Sequence, residues 1–242
     1  MTKHLFISDL HLAPERPDII QLFIQFLNNQ AAQAQSLYIL GDLVEYWLGD
    51  DDKADGLNAA FDTMKELAEK GLKIYVMHGN RDFLMGEQFA QRCGCELIHE
   101  PYIANLNNTP ILLLHGDILC TDDLRYQELR KMLRNPAWQT EFLSKPIEER
   151  EQMAQALRKQ SKEETQLKNT DIMDVNARAV ENAFIDNKVT LMIHGHTHRP
   201  DIHKLKINNK AATRIVLGDW YSQGSVLELN SADDYKLHRF NS

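Results

Sequence analysis

Short apolar runs, each cut off by a glycine or a cluster of polar residues, set the rhythm of the chain. Leu37-Tyr38-Ile39-Leu40 followed by Gly41 predicts a buried strand that delivers Asp42 to its C-terminal edge. Four other runs repeat the pattern. Leu5-Phe6-Ile7-Ser8 leads to Asp9-Leu10-His11, and Ile74-Tyr75-Val76-Met77 leads to His78-Gly79-Asn80-Arg81-Asp82. Leu112-Leu113-Leu114 leads to His115-Gly116-Asp117, and Val189 to Ile193 leads to His194-Gly195-His196-Thr197-His198. In open α/β sheets ligands bind at the carboxyl ends of the strands, so these five ends are expected to carry Asp, Asn and His to one rim.

Between the early strands the period lengthens to that of a helix. Ile19-Ile20-Leu22-Phe23-Phe26-Leu27, behind Pro17, predicts an amphipathic helix. A second is expected from about 57 to 70, closed by Gly71, and a short third from Leu84 to Arg92, stopped by Gly94. From Leu97 the pattern turns to a hairpin: Tyr102 to Leu106, a turn at Asn107-Asn108-Thr109-Pro110, and Ile111 to Leu114. After Asp174-Val175-Asn176 a helix runs to about Asn187. The end is β-rich, with Ile202 to Ile207, a turn at Asn208-Asn209, Thr213 to Leu217, Ser225 to Leu229 and Tyr235 to Phe240 expected to complete the second half of the sheet system. Strands alternating with helices and then paired in hairpins predict an α/β fold of the α+β type, a mixed sheet with helices on its faces.

One stretch breaks the rhythm. Residues 123–170 hold no convincing strand and are rich in Leu, Lys, Glu, Gln and Arg; Pro136 and Pro146 divide them into three short helices. Ten Lys and Arg against eight Asp and Glu give this insert a net charge of +2, inside a chain of −8. The chain therefore divides into a core of residues 1–122 and 171–242 and an insert of residues 123–170. The insert's apolar residues, Trp138 and Phe142 among them, suit either a small helical core packed on the sheet or an apolar groove for a lipid or aromatic substrate.

Length and charge narrow the classes. A chain of 242 residues can bury the core of one α/β domain with an insert. The acidic balance excludes a general nucleic-acid binder, which shows a basic footprint. No run reaches the roughly 18 apolar residues of a spanning helix, and Met1-Thr2-Lys3 leads straight into a strand, so a cytosolic protein is expected. Cys93, Cys95 and Cys120 are odd in number and lack zinc or thioredoxin spacing, and are expected to be reduced, buried thiols.

Asp9, His11, Asp42, Asn80, His115, His196 and His198 offer the mixed oxygen and nitrogen donors that suit Mn²⁺, Fe²⁺, Co²⁺ or Zn²⁺, and Mn²⁺ is the expected ion. Two such ions about 3.5–4 Å apart clamp the attacking and leaving oxygens of a phosphoryl displacement and need a bridging carboxylate, here Asp42. His78 and His194 are expected to pack or hydrogen-bond behind the ligands, and His4, His99, His203 and His238 to lie on the surface. A scaffold kept for binding alone would have lost ligands, and all seven positions are filled.

Asp9-Leu10-His11, Gly41-Asp42, Gly79-Asn80-Arg81-Asp82, His115-Gly116-Asp117 and Gly195-His196-Thr197-His198 resemble the calcineurin-like metallophosphoesterase family, over about residues 4 to 220. The resemblance implies a four-layer β-sandwich flanked by helices, with the insert as a lid. It implies two Mn²⁺ ions, one held by Asp9, His11, Asp42 and His198 and the other by Asp42, Asn80, His115 and His196, with a hydroxide between them as nucleophile. Longer runs, Trp47-Leu48-Gly49-Asp50-Asp51, Ile172-Met173-Asp174-Val175-Asn176 and Arg214-Ile215-Val216-Leu217-Gly218-Asp219-Trp220 among them, are similar to a branch that cleaves the pyrophosphate of a lipid-linked UDP-sugar in bacterial lipid A synthesis. That likeness implies attack at the α-phosphorus, release of UMP, and peripheral attachment to the cytoplasmic face of the inner membrane, with no nucleic acid and no obligate protein partner. A water-soluble phosphodiester or nucleotide-sugar is the competing substrate.

The resemblance also assigns Arg81, Asp42, Asn80 and His196 to catalysis, and Asn80, Arg81, Asp123, Ser161, Thr165, Lys168 and His196 to substrate contacts, with Thr165 standing where the family more often shows Asn. Arg81 replaces a His found in many members. Arginine stays charged and is no general acid, but a leaving phosphate with a second pKa of about 6 needs its charge compensated more than it needs a proton. No role emerges from the sequence for Trp47 or for Asp50 to Asp52.

Overall fold

The computed structural model describes residues 3–167 and 174–241, without the side chains of 159–167. In chain order the elements are β1 His4–Ile7, α1 Pro17–Asn29, β2 Ser36–Leu40, α2 Asn58–Glu69, β3 Lys73–Met77, α3 Glu87–Cys93, β4 Glu96–Ile98, β5 Tyr102–Leu106 and β6 Thr109–Leu114. The insert supplies α4 Leu124–Leu133, α5 Pro136–Leu143 and α6 Ile147–Leu167. Then follow α7 Ala177–Asn187, β7 Leu191–His194, β8 Asp201–Ile207, β9 Lys210–Val216, β10 Gly224–Ser231 and β11 Asp234–Phe240.

The strands form two sheets, of order β11-β10-β1-β2-β3-β4 and β5-β6-β7-β9-β8. Neighbours among β1 to β4 run parallel, as do β6, β7 and β9, while β10 and β11 and the edge strands β5 and β8 run antiparallel. The apolar runs are continuous because both faces of each sheet are covered. Leu5 and Ile7 face Phe23, Phe26 and Phe61 beneath the first helices, whereas Phe6 between them faces Leu113, Ile193 and Leu227 in the space between the sheets. Beyond the second sheet, Leu112 and Met192 pack on Val180 and Phe184 of α7. The result is the four layers expected: helices, sheet, sheet, helix.

Local chemistry sets the boundaries. Asn176 caps α7 by accepting the N–H groups of Arg178 and Ala179, and Asn135 caps α5 ahead of Pro136. The two hairpin turns each carry an Asn pair at positive φ, Asn107-Asn108 at 50° and 64° and Asn208-Asn209 at 48° and 64°, as tight two-residue turns require.

Four expectations are corrected. β10 and β11 join the first sheet, not the second: β10 lies antiparallel to β1, with His4 opposite Leu229. β4, three residues beside β3, went unanticipated. α6 is 21 residues long, not short, because nothing between Pro146 and Leu167 breaks a run of strong helix formers. His4 is buried, not on the surface, and its Nδ1 lies 2.7 Å from Ser36 Oγ across the β1–β2 pair. Cys93 and Cys120 are buried, as expected, and Cys95 is half-buried. Among the described residues no helix is long and apolar enough to cross a membrane.

Candidate metal centre

Backbone, not side-chain packing, builds the rim. Each parallel strand stops and the chain turns sharply, so that Asp9, His11, Asp42, His196 and His198 all sit at positive φ, between 49° and 69°. That region costs a residue with a Cβ roughly 1 kcal/mol or more. Cross-strand bonds hold the turns: Asp9 N–H to Gly41 O (3.1 Å), His11 N–H to Asp42 O (3.0 Å), and Gly195 N–H to His115 O (2.8 Å). Glycine is needed where two turns touch. A Cβ on Gly79 would collide with the Asp42 carboxylate, and one on Gly195 with Ser8 and Asp9.

The seven residues expected from the sequence converge. Asp9 Oδ2 accepts from Ser8 Oγ (2.6 Å) and His196 N–H (2.9 Å), leaving Oδ1 3.3 Å from His198 Nε2. Asp42 Oδ1 accepts from Arg81 N–H at 2.8 Å and lies 3.8 Å from His115 Nε2, while its Oδ2 lies 3.7 Å from His11 Nε2. Asn80 Oδ1 lies 3.0 Å from His115 Nε2 and 2.9 Å from His196 Nδ1. Donors about 2.1 Å from one ion stand about 3 Å apart, so these separations suit ligands. Two sets gather closely, Asp9 with His11 and His198, and Asp9 with Asp42 and His115, so Asp9 belongs to both, while the two Asp42 oxygens face His115 and His11.

The donor chemistry fits a cation. His115 Nδ1 faces the Leu40 carbonyl at 2.9 Å, and a carbonyl only accepts, so Nδ1 carries a proton and Nε2 is turned toward Asn80 Oδ1 and Asp42. His11 Nε2 is buried with no hydrogen-bond partner. Such a convergence of lone pairs needs positive charge at its centre. Burial opposes a proton on His115, but Asp42, Asp117 and Asp9 raise it to about 9. Burial and the neighbouring His115 lower His196 to about 4. Burial works against the Asp9 carboxylate, yet His198, His115 and His11 hold its pKa well below the usual range. Asp82, fully buried beneath, is raised to about 6 by burial and by Asp42, and accepts from Leu43 N–H and Gly79 N–H, fixing the two turns rather than pairing with Arg81.

The other histidines stand apart. His194 is buried with its Nδ1 2.9 Å from the Gly195 carbonyl, and His78 Nε2 lies 2.7 Å from the Met85 carbonyl, so both sit behind the cluster. Trp47, Asp50 and Asp51 acquire roles. Trp47 packs edge-on against Phe61 and Phe89 and donates to Asp50, which in turn accepts from Gly86, Gln88 and Phe89 N–H at the start of α3.

Asp51 pairs with Arg150 of the insert, one of four arginines that tie α4 and α6 to the core. Arg150 also donates to the Leu48 carbonyl (2.6 Å), Arg158 to Glu45 (2.6 Å), Arg134 to the Gly79 carbonyl (2.9 Å) and Arg130 to Asp117 (2.8 Å). Tyr126 donates to the same Asp117 oxygen at 2.7 Å, its ring 5.8 Å from that of His196. Glu45, Tyr126, Arg130 and Arg158 were missed by sequence reasoning. Glu45 is the junction: its carboxylate lies 2.9 Å from His11 Nδ1, 4.0 Å from Arg81 and against Arg158, and although burial opposes ionisation these cations hold it near 2. No motif marks it.

Between insert and core a cleft with about 820 Å³ of empty space, its open mouth included, starts at Asn80 and Arg81 and continues between Leu133, Trp138, Phe142 and Leu157. Arg81 Nε is buried there without a hydrogen-bond partner. Asp123 is buried as the cap of α4, accepting from Tyr126 N–H. Ser161 and Thr165 lie on α6, their side chains outside the described set, and Lys168 lies outside the described residues.

A family model described as calcineurin-like phosphoesterase matches residues 2–200. The chain is 47% identical over 234 residues to a UDP-2,3-diacylglucosamine hydrolase of Stenotrophomonas maltophilia (strain K279a), covering 94% of each. It is 46% identical over 233 residues to one of Vibrio parahaemolyticus, covering 96% of each, and 45% identical over 236 residues to one of Serratia proteamaculans, covering 98% of each. Among solved structures, an archaeal phosphodiesterase superposes with a TM-score of 0.51 at 14% identity, over 99% of this chain and 100% of that one, a likeness of fold. Strand-end ligands, four-layer architecture and full-length relatives agree: the chain belongs to the calcineurin-like phosphoesterase family, in the branch whose curated members are named UDP-2,3-diacylglucosamine hydrolase.

Proposed function

We propose that this chain hydrolyses the pyrophosphate of UDP-2,3-diacylglucosamine, releasing UMP and the diacylated sugar 1-phosphate of lipid A synthesis. One observation carries the reading beyond its relatives' names: the cleft that begins at the ligand cluster is polar at that end and apolar along the insert, the profile of a substrate with a phosphorylated head and fatty chains. A water-soluble substrate would leave the apolar stretch of the cleft, Leu133 and Leu157 included, unfilled.

Divalent ions, in our reading two Mn²⁺ held by Asp9, His11, Asp42 and His198 and by Asp42, Asn80, His115 and His196, would supply an acidified water and charge compensation at phosphorus. Asp42 stands between the two sets and orients the Arg81 backbone through its Oδ1. Arg81, with one nitrogen unspent at the cleft's polar end, compensates the charge on the departing phosphate; Asn80 and His196 hold the phosphoryl oxygens beside it. Asp123, Ser161, Thr165 and Lys168 are the further substrate contacts in this reading. Arg81→Ala is expected to lower turnover roughly a hundredfold or more while bound metal per chain stays unchanged; equal loss of both would sink this role.

The insert also faces outward with Leu124 (72% exposed), Met132 and Leu143 uncovered. Together with its positive charge these support peripheral binding to an anionic membrane. Co-sedimentation with anionic vesicles above that of a globular control is expected, and parity with the control would count against it.

The deciding experiment is UMP release from UDP-2,3-diacylglucosamine in detergent, with Mn²⁺ and with EDTA, beside bis-p-nitrophenyl phosphate. Metal-dependent UMP with little diester cleavage is expected. Diester cleavage without UMP would keep the metal centre and overturn the substrate.

A further inference from the structure

The cleft forms one wall of the ligand cluster, and a second wall lies outside it. There Tyr221 stands against His11, the rings 5.8 Å apart and 9° from parallel, with its edge toward His198 at 5.4 Å. The ring does not line the cleft, and it is the one aromatic among the large apolar side chains left exposed in the described residues, at 52%.

An exposed ring usually belongs to a loose surface loop. This one is held on every side of its backbone. Arg16 donates to the Tyr221 carbonyl at 2.6 Å, and Tyr221 N–H reaches Asp219 Oδ1 at 3.4 Å. The preceding Trp220 is buried, gives its backbone N–H to the Asp9 carbonyl (3.1 Å) and its indole N–H to the Ser225 carbonyl (3.1 Å), and packs edge-on against Phe23, Phe26 and Phe240. A ligand turn and an aromatic cage thus fix where the ring stands, while one of its faces covers His11 and much of its surface meets water.

The hydrolase reading, on which this inference rests, leaves one half of the substrate unplaced. The α-phosphorus joins two arms. The diacylated sugar phosphate takes the apolar cleft beyond Asn80 and Arg81, so the nucleoside must leave the cluster along another wall. A pyrimidine base is planar, polar at its edge and apolar at its face, and protein sites that take bases without strict discrimination offer them an aromatic ring to stack on. We infer that Tyr221 is the stacking platform for the uracil of the substrate and of the UMP product, on the His11–His198 side of the centre and outside the lining of the lipid cleft. Stacking tolerates any base, so the platform positions the nucleotide arm rather than selecting uracil.

The test compares dissociation constants of UMP and of inorganic phosphate for the Mn²⁺-loaded protein by calorimetry, in wild type, Tyr221→Ala and Tyr221→Phe, with bound manganese measured in each. Tyr221→Ala is expected to weaken UMP roughly tenfold while phosphate and manganese content hold steady, and Tyr221→Phe to keep UMP binding close to wild type. UMP binding unchanged in Tyr221→Ala would overturn the platform. So would equal weakening of UMP and phosphate, because the ring would then be a shield for His11 rather than a surface for the base. Wild-type protein that releases no UMP from UDP-2,3-diacylglucosamine would instead overturn the hydrolase reading beneath it, an outcome told apart by its indifference to residue 221.

Discussion

The ligand rim and the helical insert meet at one cleft and are fixed by opposite means. At the rim the main chain does the placing: five ligand candidates carry positive φ, glycines stand where turns touch, and the buried Asp82 clasps two turns at once. The insert is placed by long side chains. Arg130, Arg134, Arg150 and Arg158 reach across to Asp117, the Gly79 carbonyl, Asp51 and Glu45, and buried apolar contact is concentrated at Phe142. A rim fixed by its main chain tolerates almost no displacement, whereas arginine tethers can lengthen and re-form as a fatty substrate enters.

The sharpest way to break this contrast is to add one carbon to the rim. Gly79→Ala is expected to abolish metal retention and lower turnover by roughly a thousandfold, because its Cβ occupies the place of the Asp42 carboxylate. Metal analysis beside a UMP assay checks it; normal metal content would show that side chains can adjust where the main chain is taken to rule. A smaller effect tests protons against metal. With His115 raised to about 9 when no ion is bound, and an ion needing its Nε2 lone pair, manganese affinity should fall as pH drops below 9, with close to one proton released per chain from this residue at pH 7. His11 releases a further share: burial opposes its proton, but Glu45, Asp42 and Asp9 raise its pKa. His196, near 4, adds no competition in that range. Titrations in buffers of different ionisation enthalpy would reveal it, and affinity flat from pH 7 to 9 would contradict it. The mildest change loosens a tether. Arg150→Ala frees Asp51 and the Leu48 carbonyl at a cost of about 1–3 kcal/mol to insert docking. Faster amide exchange across 147–158 and a KM for the lipid substrate raised several-fold are expected, with hydrolysis of the generic diester unaltered; unchanged exchange would mean that apolar packing alone seats the insert.

The same contrast explains what could be read in advance. Rim residues follow directly on apolar strands and stand next to the glycines that permit their turns, so Asp9, His11, Asp42, Asn80, His115, His196 and His198 were visible as short local patterns. The Asn pairs of the hairpins were visible for the same reason. The tethers leave no such trace. Arg150 sits among Glu and Gln on a helix that reads as solvated, yet it is 2% exposed, and Asp51 looks like part of an acidic loop until its partner, 99 residues away, is seen. Placement of β10 fails similarly. Its alternation says strand, but the choice between two sheets rests on pairing with β1, some 225 residues earlier, and local sequence carries nothing about that. Glu45 and Tyr221 matter through neighbours brought by other parts of the chain.

The positive φ angles of the rim carry a last consequence. A scaffold whose turns are set by their own cross-strand bonds works as a mould cast before the first ion arrives. Because those bonds run between main-chain groups, the seat owes its shape to the turns and not to the rotamers of the side chains that line it. The turns thus fix where donors stand, and the kind of ion is left to the oxygen and nitrogen atoms those donors offer.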